Sequence, residues 1–327
     1  MTTKTTLDEI KLPIAAHLVE FEKSFSNVMK SRVPLLDIIL RYMYRQKGKQ
    51  LRPIFVFLSA GVFGIINERT QRAAALIELL HTATLVHDDV VDDSHKRRGF
   101  FSINALWKNK IAVLAGDYLL SKGLLLSLDN DDFDLLRIVS EATREMSEGE
   151  LLQIEKARRL DISEEVYFEI IRKKTASLIA SCCKAGSASV GADAQMQDRM
   201  YRFGENVGIA FQIKDDLFDY QANNKTGKPS ASDIKEKKMT LPLIYTLNNS
   251  DYTTKTRLKS IVKYHSTNAA KVSEVIETVE KAGGIEYAGK RMIEYRDKAL
   301  EILASFHPSS ATQALEKLVY FTIDREK

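Results

Sequence analysis

Glycine and proline are scarce in this 327-residue chain, with 15 and 6 residues, about half the share usual in soluble proteins. That scarcity excludes collagen-like repeats and Gly/Pro-rich disorder, and it argues against folds that turn about every ten residues. No proline falls between Pro53 and Pro229, so long helices are permitted there. Cysteine is nearly absent as well. Cys182 and Cys183 are neighbours in sequence, a spacing that rarely meets disulfide geometry, so a reducing compartment is expected. The N-terminal MTTKTTLDEI lacks the basic-then-apolar order of a secretory signal. The longest uncharged apolar stretch, Pro53 to Ile66, is shorter than the roughly 20 residues of a membrane span. The expectation is a soluble cytoplasmic protein that is not integral to a membrane. The net charge of +4 arises from 48 Lys and Arg against 44 Asp and Glu. It is spread along the chain rather than blocked, and does not point to nucleic acid.

What the chain does have is helical periodicity. Ala73, Leu76, Ile77, Leu80, Ala83 and Val90 mostly step by three or four. Similar spacing recurs in 111–128, 135–154, 164–190, 197–220, 269–282 and 286–304. The chain reads as all-α. No Pro/Ser/Gly linker, internal repeat or low-complexity tract divides it, so residues 1–327 read as one domain. The least periodic segment, Gln221–Lys238, is polar and lysine-rich, and loops of that length are commonly functional or disordered.

The sharpest local feature is His87-Asp88-Asp89-Val90-Val91-Asp92-Asp93, at the end of an otherwise apolar helical pattern. Asp88 and Asp92 are four apart, which puts both carboxylates on one helix face. Asp215-Asp216-Leu217-Phe218-Asp219 repeats the spacing. Like charges so placed destabilise a helix unless a cation neutralises them, and near a helix C-terminus they also oppose its dipole. A single acidic run would read best as a solvated face. Two matched clusters after apolar stretches favour metal, and carboxylates that share an ion with phosphate oxygens suit Mg²⁺. Cations flank the acids. Lys49 and Arg52 stand in Gly48-Lys49-Gln50-Leu51-Arg52-Pro53, Arg97 and Arg98 follow the first cluster, Lys174 precedes Thr175, and Lys228 and Lys238 lie in the polar segment. Arginine forks and lysine point charges both grip phosphate, so the set suggests two anionic phosphate groups, one held through metal and one directly.

At these residues the sequence resembles the trans-polyprenyl diphosphate synthases of the isoprenoid synthase family, in their octaprenyl or long-chain form. The resemblance rests on DDVVDD with Arg97-Arg98-Gly99, on DDLFD, and on GKQLRP, the Lys-Thr pair, FQIKDD and GKPSASDIKEKKMTLP in the family's order. It covers nearly the whole chain. One departure is Lys237, where many members carry glycine. The resemblance implies an all-α isoprenoid synthase fold, a helical bundle around a central active-site cavity, and a homodimer. It implies that Asp88, Asp89, Asp92, Asp215, Asp216 and Asp219 hold Mg²⁺, three ions in all, on an allylic diphosphate that Arg97, Lys174, Lys228 and Lys238 touch. Lys49, Arg52, His81 and Arg98 would bind isopentenyl diphosphate, and Thr175 and Gln212 would line the site.

Product length is expected to depend on the helix that carries the first cluster. In the family, bulky aromatic residues four or five places before the first aspartate close the tunnel early. Here Thr84 and Ala83 occupy those places. One helical turn spans about 5.4 Å, roughly one isoprene unit, so small residues here would admit further units of a tail running past Thr84, Ala83, Leu80 and Ile77. The resemblance of HTATLVHDDVVD to the octaprenyl-type enzymes implies a product of about eight units. A terpene cyclase would usually carry a different second metal motif, and a non-catalytic subunit would have lost one acid cluster. Glu78 and His81 match the Glu-x-x-His of di-iron bundles, but no convincing second pair accompanies them. A helical interaction protein would explain the periodicity without the matched acids and bases.

Overall fold

The computed structural model describes residues 6–46, 48–97, 99–160, 162–221 and 231–323. Arg98 and Lys228 lie outside them, and no side chain is described for residues 158 and 159. In chain order the helices are α1 (Leu7–Lys11), α2 (Ala15–Val28), α3 (Pro34–Arg45), α4 (Leu51–Phe63), α5 (Glu68–Val91), α6 (Ile103–Leu128), α7 (Phe133–Arg159) and α8 (Glu164–Ile171). A π-helical turn, Arg172–Ala176, leads into α9 (Ser177–Ser189). Then come α10 (Ala194–Phe218), α11 (Ser232–Lys235), α12 (Leu241–Asn249), α13 (Tyr252–Tyr264), α14 (Ala269–Lys281), α15 (Gly284–Ala304) and α16 (Ser310–Ile323). The only strands among the described residues form a short hairpin, β1 (Lys96–Arg97) against β2 (Phe100–Phe101). Gly99 supplies its left-handed residue at φ 81°.

The few prolines mark helix starts. Pro34 opens α3, Pro242 lies in the first turn of α12 and Pro53 in that of α4, where a missing N–H costs little. The chain forms two compact units: the described residues of Met1–Thr143, Ser181–Tyr201 and Phe306–Lys317 in one, and those of Arg144–Ala180, Arg202–Ser305 and Leu318–Lys327 in the other.

In the first unit, α4 is buried without a break from Pro53 to Ala60. Fully burying a side chain such as Ile54, Phe55 or Leu58 contributes about 1.5–3 kcal/mol each before entropy is counted. Helix α5 starts on a capping box in which Asn67 and Thr70 each satisfy the other's backbone N–H. Its first turns are pinned by buried Asp132, which accepts from Arg69 Nε at 3.0 Å and from Arg72 Nε at 2.5 Å. Helix α6 breaks at Lys108 (φ 71°, ψ 161°). It buries Ala112, Ala115, Gly116, Leu119 and Gly123 and leaves Leu106, Val113, Leu114, Leu124, Leu125 and Leu128 exposed. By length and composition α6 is apolar enough to cross a membrane, and a third of its most apolar window is buried. The uncharged run Pro53–Ile66 missed this segment because scattered Lys and Asp residues interrupt it.

The second unit has its core where Ile170 and Ile171 of α8 meet Ile209, Ile213 and Leu217 of α10, with Leu243 and Ile244 of α12 and Val275 and Val279 of α14. Two glycines let helices approach the π-helical turn closely. A Cβ on Gly149 of α7 would lie 2.8 Å from the Lys174 backbone N, and one on Gly208 of α10 would lie 2.5 Å from Ala176 Cα. The turn that carries Lys174 and Thr175 is thus gripped from both sides by bare backbone.

Candidate active site

The first acid cluster closes α5. The Asp92 N–H donates to the Asp88 carbonyl at 2.8 Å, so the turn between them is helical and the two carboxylates share a face. Both are exposed, whereas Asp89, a third of a turn round the helix, is only 5% exposed. Its Oδ1 accepts from Arg97 Nε at 2.8 Å and from Arg97 Nη2 at 2.7 Å. Its backbone carbonyl accepts from Ser94 N–H and from Asn104 Nδ2. Asp89 therefore ties the hairpin to α5 and fixes the guanidinium of Arg97.

Arg97 and Asp89 line one cavity of about 90 Å³ together with Arg52 and His81. Arg52 lies in the first turn of α4, its Nη1 3.6 Å from Glu78 Oε1, and His81 is buried on α5. Phe25, Met29, Met43, Leu85, Val86 and Ile103 supply the apolar wall. Lys49 stands exposed in the loop just before α4. Ile77, Leu80 and Ala83 are buried on α5, and Thr84 is half-buried, its hydroxyl donating to the His81 carbonyl at 2.9 Å.

The second acid cluster closes α10. Asp216 is 6% exposed and its two oxygens are held separately. Tyr167 Oη donates to Oδ2 at 2.7 Å and Gln212 Nε2 donates to Oδ1 at 2.9 Å. Thr175 Oγ1 in turn donates to Gln212 Oε1 at 2.8 Å. Asp215 is half-buried. Past the helix end, the Asp219 N–H bonds the Asp216 carbonyl, so the last turn tightens rather than continuing with four-residue spacing. The Asp219 carboxylate accepts from Ser232 Oγ and from the Asp233 N–H, and so caps the short helix α11. Lys238 lies 3.7 Å from Asp233 and 2.5 Å from Glu236. Lys174 reaches Glu150 at 2.5 Å and Gln153 at 3.4 Å. Lys174, Thr175, Gln212, Asp216, Asp233 and Lys238 line a cavity of about 240 Å³.

The charges in this cavity are strained. Burial pushes the Asp216 carboxyl up to about 6, Asp215 adds to the rise, and the bonds from Tyr167 and Gln212 oppose it. Burial, with Asp216 and Asp219 alongside, pushes Asp233 up to about 7. A divalent cation would relieve that repulsion. Among the described residues no three His, Cys, Asp or Glu converge on one point as a complete metal cage. Mg²⁺ usually takes one or two carboxylates and completes its shell with water and phosphate oxygens. The donor chemistry therefore suits Mg²⁺ held jointly with a diphosphate.

Residues 33–279 match the Polyprenyl synthetase family. The chain belongs to this family. It is similar to an all-trans-nonaprenyl-diphosphate synthase (geranyl-diphosphate specific) of Rhodobacter capsulatus, with 35% identity over 97% of each chain. Among solved structures it resembles a polyprenyl synthase of Caulobacter crescentus complexed with calcium and isoprenyl diphosphate (31% identity, TM-score 0.89, 99% of each chain). It also resembles a geranylgeranyl pyrophosphate synthase of Bacteroides thetaiotaomicron (37% identity, TM-score 0.82, 99% of this chain and 100% of that one). The all-α isoprenoid synthase fold expected of the family is the fold observed.

Lys237, the departure from the family's glycine, has φ 59°. The loop keeps a backbone conformation that suits glycine and places a lysine in it. Sequence reading missed Tyr167, Asp233 and Asn104. Tyr167 and Asn104 belong to no spaced acidic or basic motif and acquire their roles through packing, while Asp233 lies within GKPSASDIKEKKMTLP but is overshadowed there by the lysines.

Proposed function

We propose that this protein elongates an allylic diphosphate with successive isopentenyl diphosphate units, head to tail, releasing pyrophosphate and a long-chain all-trans polyprenyl diphosphate. The observation that carries this reading is the second acid cluster: a buried Asp216 held from both oxygens, next to strained Asp233 and flanked by Lys174 and Lys238. Membership of the family and the similarity to a nonaprenyl synthase support it.

Asp88, Asp89, Asp92, Asp215, Asp216 and Asp219 would hold three Mg²⁺ ions on the allylic diphosphate, with Asp89 also orienting Arg97. Bound Mg²⁺ would act as a Lewis acid and neutralise the departing pyrophosphate. Arg97, Lys174, Lys228 and Lys238 would grip the same diphosphate, and Lys49, Arg52, His81 and Arg98 that of isopentenyl diphosphate. Thr175 and Gln212 keep Asp216 aligned. As the allylic C–O bond breaks, its electron pair leaves with pyrophosphate. The isopentenyl double bond then attacks the allylic cation to form the new C–C bond, and the proton lost passes to the departing pyrophosphate. The apolar walls exclude water, which would otherwise capture the cation.

Small Ala83 and half-buried Thr84, ahead of Leu80 and Ile77, would let the chain grow past the first cluster. The exposed leucines of α6 offer an apolar face on which a second copy would pack, in the homodimer that the family resemblance implies. The direct test is incubation with Mg²⁺, labelled isopentenyl diphosphate and farnesyl or geranylgeranyl diphosphate, followed by sizing of the product. Failure to incorporate label in the presence of Mg²⁺ would reject the reading.

A further inference from the structure

A buried phenol must place its hydroxyl on a partner, and any acceptor within reach will serve. Tyr220 does so on Thr240 Oγ1 at 2.8 Å. Tyr167, 4% exposed on α8 with its ring edge-on to Phe168, uses a carboxylate instead. Its Oη lies 2.7 Å from Asp216 Oδ2, while Gln212 occupies Oδ1 from the opposite side. Turning the Gln212 amide would set its Oε1 against Asp216 Oδ1, acceptor against acceptor, so the orientation that gives Oδ1 an N–H donor is the favoured one. Donors on both oxygens stop the carboxylate from rotating about its own axis. Each oxygen also keeps a lone pair unspent by these two bonds, as a metal ligand requires. Phe168 holds the Tyr167 ring whether or not the ring carries a hydroxyl.

We propose that Tyr167 is a positioning residue that fixes the Asp216 carboxylate for the metal–diphosphate complex. The inference rests on the Mg²⁺ assignment made under Proposed function. Hydrogen-bond partners of metal-ligating carboxylates typically matter about 10-fold or more for metal affinity when lost.

The test is a Mg²⁺ titration with inorganic pyrophosphate held constant, read as the rise in Tm, so that no turnover is needed. Tyr167→Phe should melt close to wild type without ligands, yet need about 10-fold more Mg²⁺ for half of the Tm rise. Tyr220→Phe loses a buried hydroxyl that is hydrogen-bonded to Thr240 rather than to a carboxylate and feels Asp216, Asp219 and Asp233 only through their field, so its Mg²⁺ requirement should change far less than about 10-fold. In an Asp216→Asn background, Tyr167→Phe should add no further shift. A wild-type Mg²⁺ requirement in Tyr167→Phe would overturn the proposal. So would an equal shift in Tyr220→Phe, an additive shift in the double variant, or a Tyr167→Phe chain that does not fold. If the wild-type protein shows no Mg²⁺-dependent rise with pyrophosphate, the metal assignment itself falls, and this proposal with it.

Discussion

Adding one methyl group at Gly208 should disable this enzyme without touching a charged residue. Built on the α10 backbone, an alanine Cβ would sit 2.5 Å from Ala176 Cα and 2.8 Å from Ala176 Cβ. Carbon atoms pack at about 3.5–4.0 Å, so α10 and the π-helical turn must part by roughly 1 Å. The obstacle is backbone, which no rotamer change can clear. Overpacking of this kind costs about 1–3 kcal/mol of stability. The catalytic cost should be larger. Thr175 sits one residue before the point of collision and orients Gln212, four residues along α10, and Gln212 holds Asp216. Misplacing reacting groups by about 1 Å can lower a rate about 100-fold. The assay is the initial rate of label transfer from isopentenyl diphosphate, with denaturant unfolding on the same samples. Gly289→Ala serves as control, since nothing lies within 4 Å of its Cβ position and a helical alanine there should be neutral or stabilising by up to about 1 kcal/mol. Gly208→Ala with wild-type turnover would refute the claim that this close approach sets the geometry of the site.

Ala83→Phe should shorten the product by restoring a bulky side chain five places before Asp88, and an unchanged product distribution by chromatography would sink the tunnel assignment. Lys237→Gly should be neutral or stabilising by up to about 1 kcal/mol in denaturant unfolding, because φ 59° strains a side chain more than it strains glycine; destabilisation beyond that would contradict the backbone assignment. Arg97→Gln would leave the carboxylate of buried Asp89 without its guanidinium, at a cost of about 1–2 kcal/mol after allowing for the partial exposure of Arg97. Its effect should be non-additive with Asp89→Asn, and additivity would deny the coupling. Stability should also respond to pH through Asp216 and Asp233. Their folded values, about 6 and about 7, lie above the ordinary carboxylate range, so the folded chain binds more protons than the unfolded one between roughly pH 4 and 7. Their contribution to ligand-free stability therefore falls as pH rises through that window. The Tm gain from Mg²⁺ with pyrophosphate should accordingly be larger at pH 8 than at pH 5, and the opposite order would contradict the strained-cluster account.

The acid clusters were legible because the spacing of Asp88 and Asp92 becomes a shared helix face as soon as the segment is helical, and the long proline-free interval permits that. The apolar positions of α5 and α10 follow from the same periodicity. What the spacing could not show is how the acids divide their work. Asp89 turns inward to Arg97, and Asp219 caps α11 because α10 ends one residue earlier. The hairpin at 96–101 escaped an all-helical reading, since two-residue strands leave no period to detect. The π-helical turn was equally hidden. It depends on Gly149 and Gly208, which in sequence are unremarked glycines inside helices and in three dimensions are the points where backbones meet. Tyr167 belongs with them, since its role exists only where α8 packs on α10.

The central claim is elongation of an allylic diphosphate to a long polyprenyl chain, and sizing the product of one Mg²⁺-dependent reaction tests it most directly. With labelled isopentenyl diphosphate and farnesyl diphosphate, the label should appear in a polyprenyl diphosphate of about eight units, the length implied by the octaprenyl-type resemblance of the segment leading into Asp88. Label confined to geranylgeranyl diphosphate, or no incorporation when Mg²⁺ is present, would contradict it.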